Sequence, residues 1–164
     1  MKHYIRFLEK LLKVKPKSII FASCVGWGQS TLNTGEVVIN NNLDNFTKIF
    51  TIAHELRHIY QYEHNRSMLD EISNHYQRGK SGMNQVVEMD ANAFAFFICR
   101  KVFRLEPQVK LNHDYIKFEK MVKQMEIDYA NVYDVIISSH FDVFKFLKDN
   151  QLPNAYDVVL KHKK

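Results

Sequence analysis

The stretch His54-Glu55-Leu56-Arg57-His58 lies inside an apolar run, with Ile49-Phe50-Thr51-Ile52-Ala53 before it and Ile59-Tyr60 after it. The run has helical periodicity. Two histidines four residues apart on a helix lie one turn apart on the same face. Their imidazoles can bind one metal ion together. The glutamate beside the first histidine projects next to that ion, where it can take a proton from a water that the ion activates. This HExxH pattern is the chemistry of a zinc peptidase. The plainer alternative, a solvated His and Glu on an exposed helix, fits poorly with apolar residues crowding both sides.

The chain has 164 residues, enough for one domain with a real core. An apolar fraction of 46% and an aromatic fraction of 13% belong to a folded globular protein. Twelve phenylalanines, many at helical spacing, read as core. No internal repeat or low-complexity linker divides the chain, so a single domain over 1–164 is expected.

Cys24 and Cys99 each lie in an apolar run without a CxxC partner. They read as two reduced, buried thiols in a reducing compartment. Lys2, Arg6, Glu9, Lys10 and Lys13 interrupt the first apolar residues, so no signal-peptide core exists there. No apolar run approaches membrane-spanning length. These features together predict a soluble, cytoplasmic protein. The net charge is +5, with a basic end at Lys161-His162-Lys163-Lys164. Elsewhere bases alternate with acids and no nucleic-acid motif occurs, so the basic end reads as a solvated terminus rather than a nucleic-acid surface.

Apolar positions from Tyr4 to Val14 predict a first helix, ended by Pro16. Ser18 to Val25 reads as a buried strand, Gln29 to Leu32 as a second and Glu36 to Asn40 as a third. Gly26-Trp27-Gly28 and Asn33-Thr34-Gly35 separate them. Asp44 or Asn45 can cap the HExxH helix, which should run to about Glu63. The polar segment from Asn65 to Asn84 has room for one helical turn at Leu69 to Tyr76. Val86 to Val102 is strongly apolar and helical. His113 to Met125 and Val132 to Leu147 read as two further amphipathic helices. One helix, a small sheet and then helices make an α+β layout with its strands grouped early.

A catalytic zinc usually keeps three protein ligands and one open position. Two residues compete for the third place. Glu88 sits early on the helix after the polar segment, with Asn92 one turn further on, where it can hydrogen-bond a ligand histidine. A plain helix-start acid, favoured by the helix dipole, is the alternative reading of Glu88. His64 would complete an HExxHxxQxxH pattern. Zincins with three histidines carry Gly at the position of Gln61, because the chain must break sharply there. In an unbroken helix His64 lies roughly 15 Å along the axis from His54 and on another face. Gln61 therefore weighs toward Glu88.

The HELRH helix, followed after a polar loop by Glu88-Met89-Asp90-Ala91-Asn92-Ala93-Phe94-Ala95, resembles the ImmA/IrrE-type zinc metallopeptidases of bacteria and phages. The likeness spans roughly Ser18 to Arg100. It implies a zincin-like fold: a small N-terminal twisted sheet packed on the HExxH helix, then a helical C-terminal half. It also implies His54, His58 and Glu88 as ligands of Zn2+, with Glu55 as general base. Two features depart from the pattern. Arg57 stands where members often have Gly, and Phe97-Ile98-Cys99-Arg100 replaces their Leu-Met-Pro ending. Members often cleave a DNA-binding repressor, so a peptide or a regulatory protein is the implied substrate. In zincins of this layout the strand two before the HExxH helix is the edge facing the site. That places Gly26 to Leu32 at the rim, with Glu36 to Asn40 inside it. Trp27 would then cover a substrate side chain, or else pack on the core from a hairpin loop.

The expected reaction is hydrolysis of a peptide bond, with Glu55 passing a proton from water to the leaving amine. Tyr62, His64, His75 and Tyr76 are the candidates for stabilising the oxyanion. Two other classes compete: a metal-stabilised regulatory or binding protein with little hydrolysis, and a helical interaction protein in which the motif is accidental. An intact Glu55 favours the enzyme.

Overall fold

A computed structural model of the protein describes residues 1–64, 84–109 and 114–152. Helix α1 spans Lys2–Leu12 and stops where Lys13 turns left-handed, three residues before Pro16. Strands β1 (Ser18–Ala22), β2 (Gly28–Thr31) and β3 (Glu36–Asn40) form one sheet in the order β1-β3-β2. β1 runs parallel to β3, and β2 runs antiparallel to it with Gly28 opposite Ile39 and Ser30 opposite Val37. β3 is central and turns Val37 and Ile39 into the core. β1 is an edge among the described residues. Its run is therefore not buried on both faces, as its apolar sequence suggests: Ile20 is 49% exposed. Cys24, in the loop after β1, is correspondingly half-buried rather than buried, while Cys99 is fully buried; both are free thiols.

Helix α2 (Asn45–His64) starts on Asp44, whose carboxylate accepts from the Thr47 backbone N–H at 2.9 Å and from its hydroxyl at 2.6 Å. Such a cap satisfies donors that the first turn leaves open and contributes about 1 kcal/mol. Ile49, Ile52, Ala53, Leu56 and Ile59 are buried along its length. At roughly 1.5–3 kcal/mol per large apolar side chain, that burial outweighs the cap and holds α2 at the centre. Helix α3 (Asn84–Phe97) lies against α2 and passes into a π-helical segment, Ile98–Phe103, rather than continuing as α-helix to Val102. Ile98, Cys99, Val102 and Phe103 of this wider turn are all buried.

Helix α4 is Tyr115–Asp128, capped by Asp114. The apolar spacing from Val132 to Leu147 suggests a single helix, but two form: α5 (Val132–Ser138) and α6 (Val143–Asp149). His140 is left-handed at φ 56°, Phe141 drops into the core, and Asp142 caps the next helix through the Lys145 N–H at 2.9 Å. Phe141 meets Tyr4, Phe7, Phe103 and Phe146 in an aromatic cluster that ties α1 to the C-terminal helices. The architecture is α+β and zincin-like, with the small sheet on one side of α2 and helices on the other. Among the described residues no helix is long and apolar enough to cross a membrane.

Candidate active site

His54 and His58 project from one face of α2, and their Nε2 atoms are 3.0 Å apart. Glu88, from the first turns of α3, reaches across with one carboxylate oxygen 3.4 Å from each Nε2. One donor atom from each of the three residues lies within 4.8 Å of the others. The outer nitrogens are held as well. His54 Nδ1 faces the Asn92 side-chain oxygen at 3.0 Å, and His58 Nδ1 faces Gln61 Oε1 at 2.8 Å. Both Nε2 atoms thus point inward at a carboxylate. Two imidazole nitrogens and one carboxylate are a donor set that suits zinc with a position left open.

Burial disfavours charge on both rings. At His54 the Glu88 carboxylate, aided by Glu55 and Asn92, outweighs burial and moves the pKa up. At His58 burial and the neighbouring His54 move it down.

Glu55 is 6% exposed and sits beside the histidines in a cleft of about 370 Å³. Trp27 and, from β2, Gly28, Gln29 and Ser30 also line it. β2 lies very close to α2 at this point. A Cβ on Gly28 would stand 2.7 Å from Thr51 Cγ2 and 3.1 Å from Glu55 Oε1. The need for glycine here comes from helix–strand packing inside the protein. Gly26, at φ +78°, serves the turn before the strand. β2 pairs only with β3 among the described residues, so its cleft-side edge has backbone groups to offer an extended chain. Trp27 is 44% exposed, lines the cleft and meets Phe50 edge-on at 6.2 Å.

The other residues singled out in the sequence fall elsewhere. His64 ends an unbroken α2, near Lys13, with its Nε2 3.2 Å from that residue's carbonyl oxygen. Tyr62 is half-buried near the same end. Neither lines the cleft: at about 100° per residue Tyr62 and His64 point roughly 80° to either side of His54, two to three turns further along α2. His75 and Tyr76, and the turn at Leu69 to Tyr76, lie outside the described residues.

A buried network of Arg57, Gln61 and Asp90 was not visible in the sequence, where Arg57 stands only as a departure from the family pattern and Gln61 only as the residue that leaves the helix unbroken. Arg57 is 7% exposed and grips Asp90 with two bonds, from Nε at 2.8 Å and Nη2 at 3.0 Å. Its Nη1 donates to the Tyr129 hydroxyl at 2.6 Å, and burial pushes that phenol up to about 12. Gln61 donates through Nε2 to Asp90 at 2.7 Å and to the Val87 carbonyl at 3.1 Å. The signal in the sequence was a polar pair, Arg57 and Gln61, one helical turn apart in an otherwise apolar run.

A small sheet over a central HExxH helix, with a histidine pair facing a glutamate from the next helix, defines a zincin-like protein with a candidate metal centre. The model of the IrrE N-terminal-like domain, a peptidase family, matches residues 3–128, most of the chain, and the protein belongs to that family. No curated protein and no solved structure matches it.

Proposed function

We propose that the protein is a zinc-dependent endopeptidase of the cytoplasm, acting on a peptide or a regulatory protein. The observation that carries this reading is the convergence of His54, His58 and Glu88 beside the buried Glu55, in a cleft walled by a strand edge. His54, His58 and Glu88 would hold the ion, with Asn92 orienting His54. Zinc bound there supplies a Lewis acid that polarises the scissile carbonyl and lowers the pKa of water. Glu55 accepts the proton of the attacking water and returns it to the leaving amine. The edge of β2 receives the substrate as an added strand, and Trp27 covers one of its side chains.

The test is elemental analysis of protein purified without chelator, together with peptide hydrolysis. The expected result is one zinc per chain in the wild type, none in His54→Ala, and zinc but no hydrolysis in Glu55→Gln. An absence of stoichiometric metal in the wild type would end the reading. Wild-type turnover by Glu55→Gln would remove Glu55 as the base.

A further inference from the structure

The amide of Gln61 stands between a histidine and a set of acceptors, and only one arrangement satisfies them all. Its Nε2 is 2.7 Å from Asp90 Oδ2 and 3.1 Å from the Val87 carbonyl oxygen. A carboxylate and a carbonyl can only accept, so the nitrogen end of the amide must face them. Gln61 is 1% exposed, which leaves no bulk water to stand in for a reversed amide. Asp90 cannot turn away, because Arg57 holds both of its oxygens. The oxygen end of the amide is therefore fixed on His58 Nδ1 at 2.8 Å. An oxygen that accepts requires a proton on that nitrogen.

We infer that Gln61 and Asp90 are positioning residues that lock His58 in the tautomer protonated on Nδ1, which leaves Nε2 bare toward His54 and Glu88. Arg57 anchors the lock by gripping Asp90. The consequence for zinc affinity rests on the metal site proposed above; the tautomer itself does not. Asp90→Ala should be the sharpest probe. Loss of the carboxylate leaves Arg57 without that acceptor and the Val87 carbonyl alone to aim the amide, so the Gln61 oxygen can turn toward Arg57 and drive the His58 proton onto Nε2, the atom that must be free to bind a metal.

The experiment compares the whole protein in wild type, Gln61→Leu, Asp90→Ala and Tyr129→Phe. Long-range proton–nitrogen correlation spectra of the imidazole rings are recorded without metal, and zinc affinity is measured by competition with a chelator. The wild type should carry the His58 proton on Nδ1. Gln61→Leu and Asp90→Ala should move it toward Nε2 and weaken zinc binding about 10- to 100-fold. Tyr129→Phe removes a buried hydrogen bond from the far end of the same network. It should lower thermal stability while leaving tautomer and affinity alone. If Gln61→Leu does not fold, Gln61→Met, closer in length, takes its place. A wild-type His58 proton on Nε2 would overturn the inference. So would unchanged tautomer and affinity in both network variants, or a loss of affinity in Tyr129→Phe equal to theirs. A wild type that shows the Nδ1 proton but binds no zinc would uphold the lock and refute the metal site instead.

Discussion

Between α2 and α3 the protein is joined by hydrogen bonds of 2.7–3.0 Å, His54 to Asn92 and Gln61 and Arg57 to Asp90, and within α2 His58 is bonded to Gln61 at 2.8 Å. Between α1, the π-helical segment and the last two helices it is joined by aromatic rings. Tyr4, Phe7, Phe103, Phe141 and Phe146 stand with centroids 5.2–6.4 Å apart. Hydrogen bonds weaken steeply with angle and distance, so the first region specifies where atoms point. Dispersion and apolar burial have little direction and sum over many contacts, so the second specifies how firmly the chain is folded. One molecule thus separates aim from strength, and substitutions in the two regions should fail in different ways.

Loss of a converging donor should be the most damaging to chemistry. Glu88→Ala should lower zinc affinity by more than about 100-fold, the upper range for losing an outer partner of a ligand. His64→Ala, at the far end of α2, should leave it unchanged. Chelator competition on both variants decides this, and the reverse order would make His64 the ligand.

The aromatic region should show the opposite pattern. Phe141→Ala should cost about 3–5 kcal/mol, which lowers the thermal midpoint by roughly 10 °C. Zinc content measured well below the transition should stay at the wild-type level. A parallel fall in zinc affinity would show that the two regions are not separable.

Gly28→Ala tests the seam between strand and site. The added methyl would meet Thr51 Cγ2 at 2.7 Å and crowd Glu55. Overpacking of this kind costs about 1–3 kcal/mol. Turnover should drop while zinc is retained, because Glu55 and the β2 edge move and the ligands do not. Full turnover in a folded variant would mean that the seam tolerates the shift.

Trp27→Ala should have the mildest effect. Its edge-on contact with Phe50 contributes about 0.5–1.5 kcal/mol beyond area. KM should rise by about tenfold or less, with zinc content and thermal midpoint near wild type. Titration of a cleavable peptide checks this, and an unchanged KM would assign Trp27 to packing alone.

Much of the fold was legible because it is local. The third strand was read at Glu36–Asn40, where it lies, since Val37-Val38-Ile39 sits between turn residues. The HExxH helix was read with its cap and nearly its last residue, because period and cap chemistry are both short-range. The misreadings share another cause. Apolar content alone does not say that β1 takes an edge and exposes Ile20. Nor does helical spacing across Val132 to Leu147 say that Phe141 will leave the helix to join an aromatic cluster built from α1 and the π-helical segment.

At the site the division is sharper still. The spacing of His54, Glu55 and His58 places them by helix geometry alone, and any chain that makes this helix aligns them. Glu88 and Asn92 were legible as candidates because they share a face one turn apart. What surrounds them required packing. Gln61 finds Asp90 across 29 positions of sequence, and Arg57 finds Tyr129 across 72. A polar residue in an apolar run is by sequence only an anomaly. Its partner is chosen when two helices close together and no water remains to satisfy it.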